Sequence, residues 1–134
     1  MNEDNFSYYL LRNIVLPNIL EEDTSEILYW SGKKLFTDFK DQITSEEDLI
    51  HFFEKAQFGN LNIKKSSKTK YEFVLSGDWI IQRIKTKNNE FSLETGFLCE
   101  YVQSLTNSYC LSNETIKSKE VIITINIDYK SEVN

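Results

Sequence analysis

The chain has 134 residues, 40% hydrophobic and 13% aromatic, and a formal net charge of −6. That apolar and aromatic content excludes a disordered chain, and the acidic balance argues against a general nucleic-acid binder, which needs a basic face to neutralise phosphates. No apolar run approaches the roughly 18–20 residues needed to span a bilayer.

The acidic start MNEDNFSYY carries neither a basic leader nor a myristoylation glycine, and SEVN at the other end is no prenylation box. A cytoplasmic protein is expected. The two cysteines, Cys99 and Cys110, fit no metal spacing and no disulfide framework, so reduced thiols are expected.

In chain order, FSYYLLRNIVLP predicts a first helix that breaks near Val15 or Leu16, ahead of Pro17. Asp23, with Glu26 three residues on, predicts a capped second helix. Its buried face is read as Leu28, Gly32, Leu35 and Phe39, at i, i+4, i+7 and i+11. Ser45 and the acidic turn Glu46-Glu47-Asp48 open a third helix. It turns Leu49, Phe52, Phe53 and Ala56 inward and is capped at Gly59.

The period then changes to two. Leu61 and Ile63, then Tyr71, Phe73 and Leu75, predict a β-hairpin about the polar linker 66–69. Residues 77–84 fit either a bulged strand extension at Gly77 or a short helix capped by Ser76 or Asp78. Helical spacing returns over 91–106, with Phe91, Thr95, Leu98, Val102 and Leu105 on one stripe. A closing hairpin pairs 108–116 with 121–127. The whole is one α+β domain: about four helices packed on one face of a four-stranded antiparallel sheet, in the order ααα-ββ-α-ββ.

Gly32 inside the second helix and the small stripe Ser92, Gly96, Cys99 on the last one stand out, because glycine in a helix interior costs about 0.5–1 kcal/mol. Small residues on a buried stripe let backbones approach closely. They fit close helix packing within the monomer, a subunit interface or narrow apolar channel, or drift.

The residues around them resemble the YslB-like family of small proteins from low-GC Gram-positive bacteria. The matching stretches are Tyr29-Trp30-Ser31-Gly32-Lys33-Lys34-Leu35, Phe52-Phe53-Glu54-Lys55-Ala56 with Phe58-Gly59, Leu75-Ser76-Gly77 with Arg83, and Glu94-Thr95-Gly96-Phe97-Leu98. That family is similar to a superfamily of vinyl-4-reductase domains, Bet-three-type subunits of the TRAPP tethering complex and haem-based nitric oxide sensors. The resemblance implies apolar ligand binding and dimerisation through helices. The chain lacks the paired cysteines and glycine turn of the vinyl-4-reductase branch. Its single histidine, His51, is in a different helix from the axial ligand of the haem branch, and neither cysteine is carried over as an acyl-bearing one.

No catalytic constellation is present: one histidine leaves no triad, and no two glycines have phosphate-loop spacing. Lys64, Lys65, Lys68 and Lys70 with Lys85 and Lys87 read as solvated turns, or as a surface for an acidic partner. The expectation is a non-enzymatic, homodimeric binding or adaptor domain without cofactor or metal. Tyr9, Tyr29, Trp30 and Phe36 would form the subunit contact. Gly32, Leu35, Trp79, Gly96 and Cys99 would line a pocket for a small apolar or acyl ligand. The alternative is an interaction scaffold without a ligand.

Overall fold

The computed structural model describes residues 6–132; the terminal residues 1–5 and 133–134 lie outside it. The first helix, α1, runs in three pieces: an α-turn at Phe6–Tyr9, a π-helical stretch at Leu10–Val15 and an α-turn at Leu16–Leu20. The expected break at Val15 or Leu16 does not occur. Leu16 N–H bonds back to Leu11 O, and the wide turn carries the helix past Pro17, which sits in the first turn of the last piece, where its missing N–H costs little.

Helix α2 (Thr24–Phe39) follows a 3₁₀ turn at Glu21–Asp23. Asp23 makes no side-chain cap; instead Thr24 Oγ1 donates to Glu21 O at 2.5 Å. The buried residues of α2 are Thr24, Leu28, Gly32 and Phe36, so Phe36 takes the place expected for Leu35. Helix α3 (Glu46–Lys55) is capped as expected, Asp48 N–H donating to Ser45 Oγ at 3.1 Å. The left-handed residue at its end is Gln57, at φ 60°, rather than Gly59.

Strands β1 (Asn60–Ser66) and β2 (Lys70–Ser76) form the first hairpin, with a register shift between Ile63 and Lys65. Residues left open as strand or helix form a short helix, α4 (Asp78–Lys85), entered through Gly77 at φ 107°. Helix α5 (Ser92–Thr106) leads into β3 (Ser108–Ile116) and β4 (Val121–Glu132). Leu105, placed on the buried stripe by its spacing, is 55% exposed near the helix end.

The four strands make an antiparallel sheet in the order β1-β2-β4-β3. The register sets Leu61 beside Leu75, Phe73 beside Ile123 and Leu75 beside Val121, all buried on one face. Against that face α5 brings Phe97, Leu98 and Val102, each 0% exposed, while α2 adds Phe36 and α3 adds Leu49 and Phe53. The fold is α+β, with helices on one face of a four-stranded antiparallel sheet.

Candidate functional site

The two helical glycines meet. A Cβ on Gly32 would overlap Leu93 O and lie 2.8 Å from Phe97 N; one on Gly96 would overlap Tyr29 O and lie 2.9 Å from its carbonyl carbon. Backbone therefore fills the space between α2 and α5 where a pocket was expected, and Gly32 and Gly96 line contact rather than cavity. Leu35 is half-buried against the core and Cys99 is fully buried. Trp79 takes other partners: its ring stacks on Tyr8 at 5.0 Å and lies 5.9 Å from the Arg83 guanidinium carbon.

Of the expected subunit contacts, Phe36 is overturned. It is 3% exposed and packs edge-on against Phe97 and Tyr101 inside the core, because it falls on the inward stripe of α2. Trp30 is 62% exposed, and Tyr9 and Tyr29 are half-buried. Trp30 and Tyr29 share a shallow groove with Lys33, Glu100, Tyr109 and Cys110, and the Lys33 ammonium stands 5.5 Å from both ring centroids. Beneath it Tyr29 O–H donates to Cys99 Sγ at 3.2 Å. The Cys110 thiol as hydrogen-bond donor, then Tyr29 and the charge of Lys33, lower the Cys99 thiol to about 6 against the cost of burial. Cys110 itself is pushed upward, chiefly by that same bond to Cys99.

A cleft of about 430 Å³ opens between the end of α2 and α3. Phe39, Ile43, Phe52 and Ala56 make its apolar floor, and Gln42, Asp48, His51 and Lys55 its polar rim. The helical spacing of Asp48, His51, Phe52, Lys55 and Ala56 puts them along one side of α3. Phe39 and Phe52 lie 5.2 Å apart, and Phe52 stacks on Phe97 at 4.8 Å, so the floor continues into the core. Asp48 accepts from Thr44 N–H and Oγ1, both at 3.0 Å, which holds its carboxyl below its ordinary value. The aromatic spacing was visible in the sequence; the cleft these rings line was not.

A second constellation was not anticipated. Arg12 from the π-helical stretch of α1, Arg83 from α4 and Glu94 from the first turn of α5 meet at 2%, 1% and 0% exposure. Arg12 Nη1 and Nη2 donate to the two Glu94 oxygens at 2.9 and 2.6 Å, and Nη1 also donates to Tyr8 Oη at 2.9 Å. Arg83 donates through Nε to Asn13 Oδ1 at 3.2 Å and through Nη2 to Glu90 O, while its Nη1 stands 3.7 Å from Glu94 Oε2.

Burial opposes every charge here, and Arg12 outweighs it on Glu94, lowering that carboxyl; Glu94 in turn raises Arg12. Arg83, more distant from Glu94, is drawn down to about 10 by burial, with the Arg12 charge adding to the effect. Breaking such a buried pair costs about 3–5 kcal/mol. The signal available in the sequence was a charge on an otherwise apolar helical stripe: Arg12 four residues after Tyr8, and Glu94 between Phe91 and Leu98.

Among the described residues no group of three or more His, Cys, Asp or Glu side chains is placed to hold a metal, and no helix is long and apolar enough to cross a membrane.

The family model described as "Protein of unknown function (DUF2507)" matches residues 5–128. An uncharacterized protein, YslB, of Bacillus subtilis (strain 168) is 36% identical over 131 residues, covering 96% of this chain and 87% of its own. Solved structures of similar fold include a mutant H-NOX protein from K. algicida in its Fe(II) unliganded form, with a TM-score of 0.52 and 13% identity. It aligns with 78% of this chain, which spans 63% of that one, less than two thirds. An H-NOX structure concerned with heme distortion gives a TM-score of 0.53 at 12% identity, over 100% of this chain and 75% of that one. Haem does not fit here. Such a group needs an axial ligand inside its pocket, whereas His51 is exposed on α3, and Phe53, Phe58, Phe73 and Phe97 fill the space between helices and sheet.

Proposed function

The chain belongs to the DUF2507 family, and we propose that it is a cytoplasmic, non-enzymatic binding domain for a small apolar ligand, seated in the cleft between α2 and α3. The observation that carries this is the cleft's make-up: an aromatic floor of Phe39 and Phe52 left open at the edge of the core, under a few polar groups. Its volume of about 430 Å³ is in the range of small-molecule sites, which are apolar with a few orienting groups. His51 and Lys55 would orient a polar or acidic head while the floor takes the apolar body. The likeness in fold to H-NOX proteins and the resemblance to the vinyl-4-reductase and TRAPP superfamily support the same reading.

The test is titration with 1-anilinonaphthalene-8-sulfonate, an apolar sulfonate that fluoresces on burial. Saturable binding is expected, weakened at least about tenfold, or about 1.4 kcal/mol, by Ala56→Trp, which fills the cleft. Equal binding by a folded Ala56→Trp protein would overturn the site.

Homodimerisation is retained in this reading through Trp30, with Ile27 one turn before it, both exposed on α2. A dimer that Trp30→Glu converts to monomer by light scattering would support it, and a Trp30→Glu dimer would move the interface elsewhere. A folded protein that binds no apolar probe and still dimerises would favour the scaffold reading.

A further inference from the structure

Sequence spacing gives Cys99 and Cys110 no partner, yet the fold brings them together. Asn107, left-handed at φ 52°, ends α5 and turns the chain into β3, which runs back against the helix. Cys99 Sγ stands 3.7 Å from Cys110 O, and the Cys110 thiol donates to the Cys99 sulfur. Both thiols are free, at 0% and 8% exposure.

A cysteine that only fills space sits among apolar groups and is inert. This pair has polar neighbours on the elements around it. From α2, Tyr29 O–H donates to Cys99 Sγ at 3.2 Å, and Lys33 Nζ donates to Gln103 Oε1 at 3.3 Å. On α5, that Gln103 oxygen also accepts from Cys110 N–H at 3.3 Å, and Glu100 pairs with Lys33 at 3.7 Å. A neutral thiol sulfur is a weak acceptor. Two donors converging on Cys99, Cys110 and then Tyr29, suit a thiolate, which Lys33 favours while burial and Glu100 oppose it.

We propose that Cys99 and Cys110 are a redox pair that hydrogen peroxide closes to a disulfide within the folded chain. Tyr29 and Cys110 line the groove shared with Trp30, Lys33 and Tyr109, so solvent reaches the edge of the pair while Cys99 stays covered. That approach admits a small oxidant and excludes a bulky disulfide. The Cys99 thiolate attacks one peroxide oxygen, the O–O bond breaks, and the leaving hydroxide takes up the proton that Cys99 released. The Cys110 sulfur then attacks the sulfur of the Cys99 sulfenic acid. The S–O bond breaks, and a second water leaves with the Cys110 proton. Two thiols are thereby oxidised by two electrons, and one peroxide is reduced to two waters. In a reducing compartment such a bond is transient and reports oxidant. The pair is separate from the α2–α3 cleft and does not depend on it.

No Lys or Arg lies between Lys87 and Lys117, so one tryptic peptide carries both cysteines. The reduced, folded wild-type chain is treated with hydrogen peroxide at about pH 7, then unfolded in urea with iodoacetamide, digested and weighed. The peptide is expected to lose two hydrogens and both alkylation sites, and to regain the sites after dithiothreitol. Peroxide added to the chain already unfolded in urea is expected to pair the cysteines at least about threefold more slowly, because unfolded thiols are mostly protonated. Cys110→Ala is expected to stop at a Cys99 sulfenic acid that dimedone captures. Thiols that stay alkylatable, that pass to sulfinic or sulfonic acid without pairing, or that join two chains would overturn the proposal. So would equal pairing rates in the folded and unfolded chain. Should Cys110→Ala not fold, the wild-type masses and rates decide alone.

Discussion

Arg12 and Glu94 stand 82 positions apart in the chain and meet in a two-bond fork, at 2.9 and 2.6 Å, with neither side chain more than 2% exposed. The pair ties the first helix to the last. Its consequence for stability is set by charge balance, because Arg83 lies close enough to feel both partners.

Glu94→Gln leaves two buried guanidinium groups without the one carboxylate that pairs with both, whereas Arg12→Met leaves Arg83 and Glu94 as a neutral pair. Glu94→Gln should therefore cost about 3–5 kcal/mol, and Arg12→Met less. Urea unfolding of both variants measures the order. An Arg12→Met protein less stable than Glu94→Gln would show that the two hydrogen bonds outweigh the net charge.

The same network gives opposite pH signatures at two carboxylates. The Glu94 carboxyl is held below its ordinary 4.5, so its stabilisation is complete above that pH and is lost as pH falls through the lower folded value. Glu114 is exposed as a residue, but its carboxyl lies against Thr95, where desolvation raises it, with Glu90 and Glu94 adding to the effect against the Thr95 hydrogen bond; solvent screening keeps the effect small. Its contribution is therefore present below pH 4.5 and lost as pH rises through the raised folded value. Glu114→Gln should stabilise the protein at about pH 7 and make no difference near pH 3, while the penalty of Glu94→Gln should shrink as the medium becomes acidic. Thermal unfolding from about pH 3 to about pH 7 checks both signs.

Gly32→Ala and Gly96→Ala should each destabilise by about 3 kcal/mol or more, since a backbone rather than a flexible side chain must move. Both changes push apart the same two helices, so the double variant should fall short of the sum by about 0.5–3 kcal/mol. A double-mutant cycle in urea gives this coupling directly. Additive losses would mean that the two glycines answer to different contacts.

The Cys99 thiolate should appear near pH 6 in an ultraviolet thiolate titration. Cys110→Ala should move that midpoint up furthest and Tyr29→Phe next, because each removes a hydrogen-bond donor to the thiolate. An unmoved midpoint in both variants would assign the lowering to Lys33.

Much of the local structure was legible in the sequence, for physical reasons. Period-two alternation over 61–75 and 121–127 can bury only one face of a strand, and Ser45 before an acidic turn can only cap a helix start. Even the glycines announced a close helix approach. Local rules misjudged α1, because a wide turn absorbs Pro17, and they exchanged Leu35 for Phe36, because the buried stripe of α2 runs through Leu28, Gly32 and Phe36 at steps of four.

The site lay beyond them. Pattern alone could not say that Gly32 and Gly96 would meet each other's helices and so close the space that a pocket needs. It could not bring Arg12, Arg83 and Glu94 together from three helices, since no spacing rule links positions so far apart. Charges on helices normally face water; only the packing of α1 over α4 and α5 removes that water and makes these three answer to one another. Likewise the cleft at Phe39 and Phe52 depends on how the connection through Gln42 and Ile43 sets α3 against the end of α2, which tertiary packing decides.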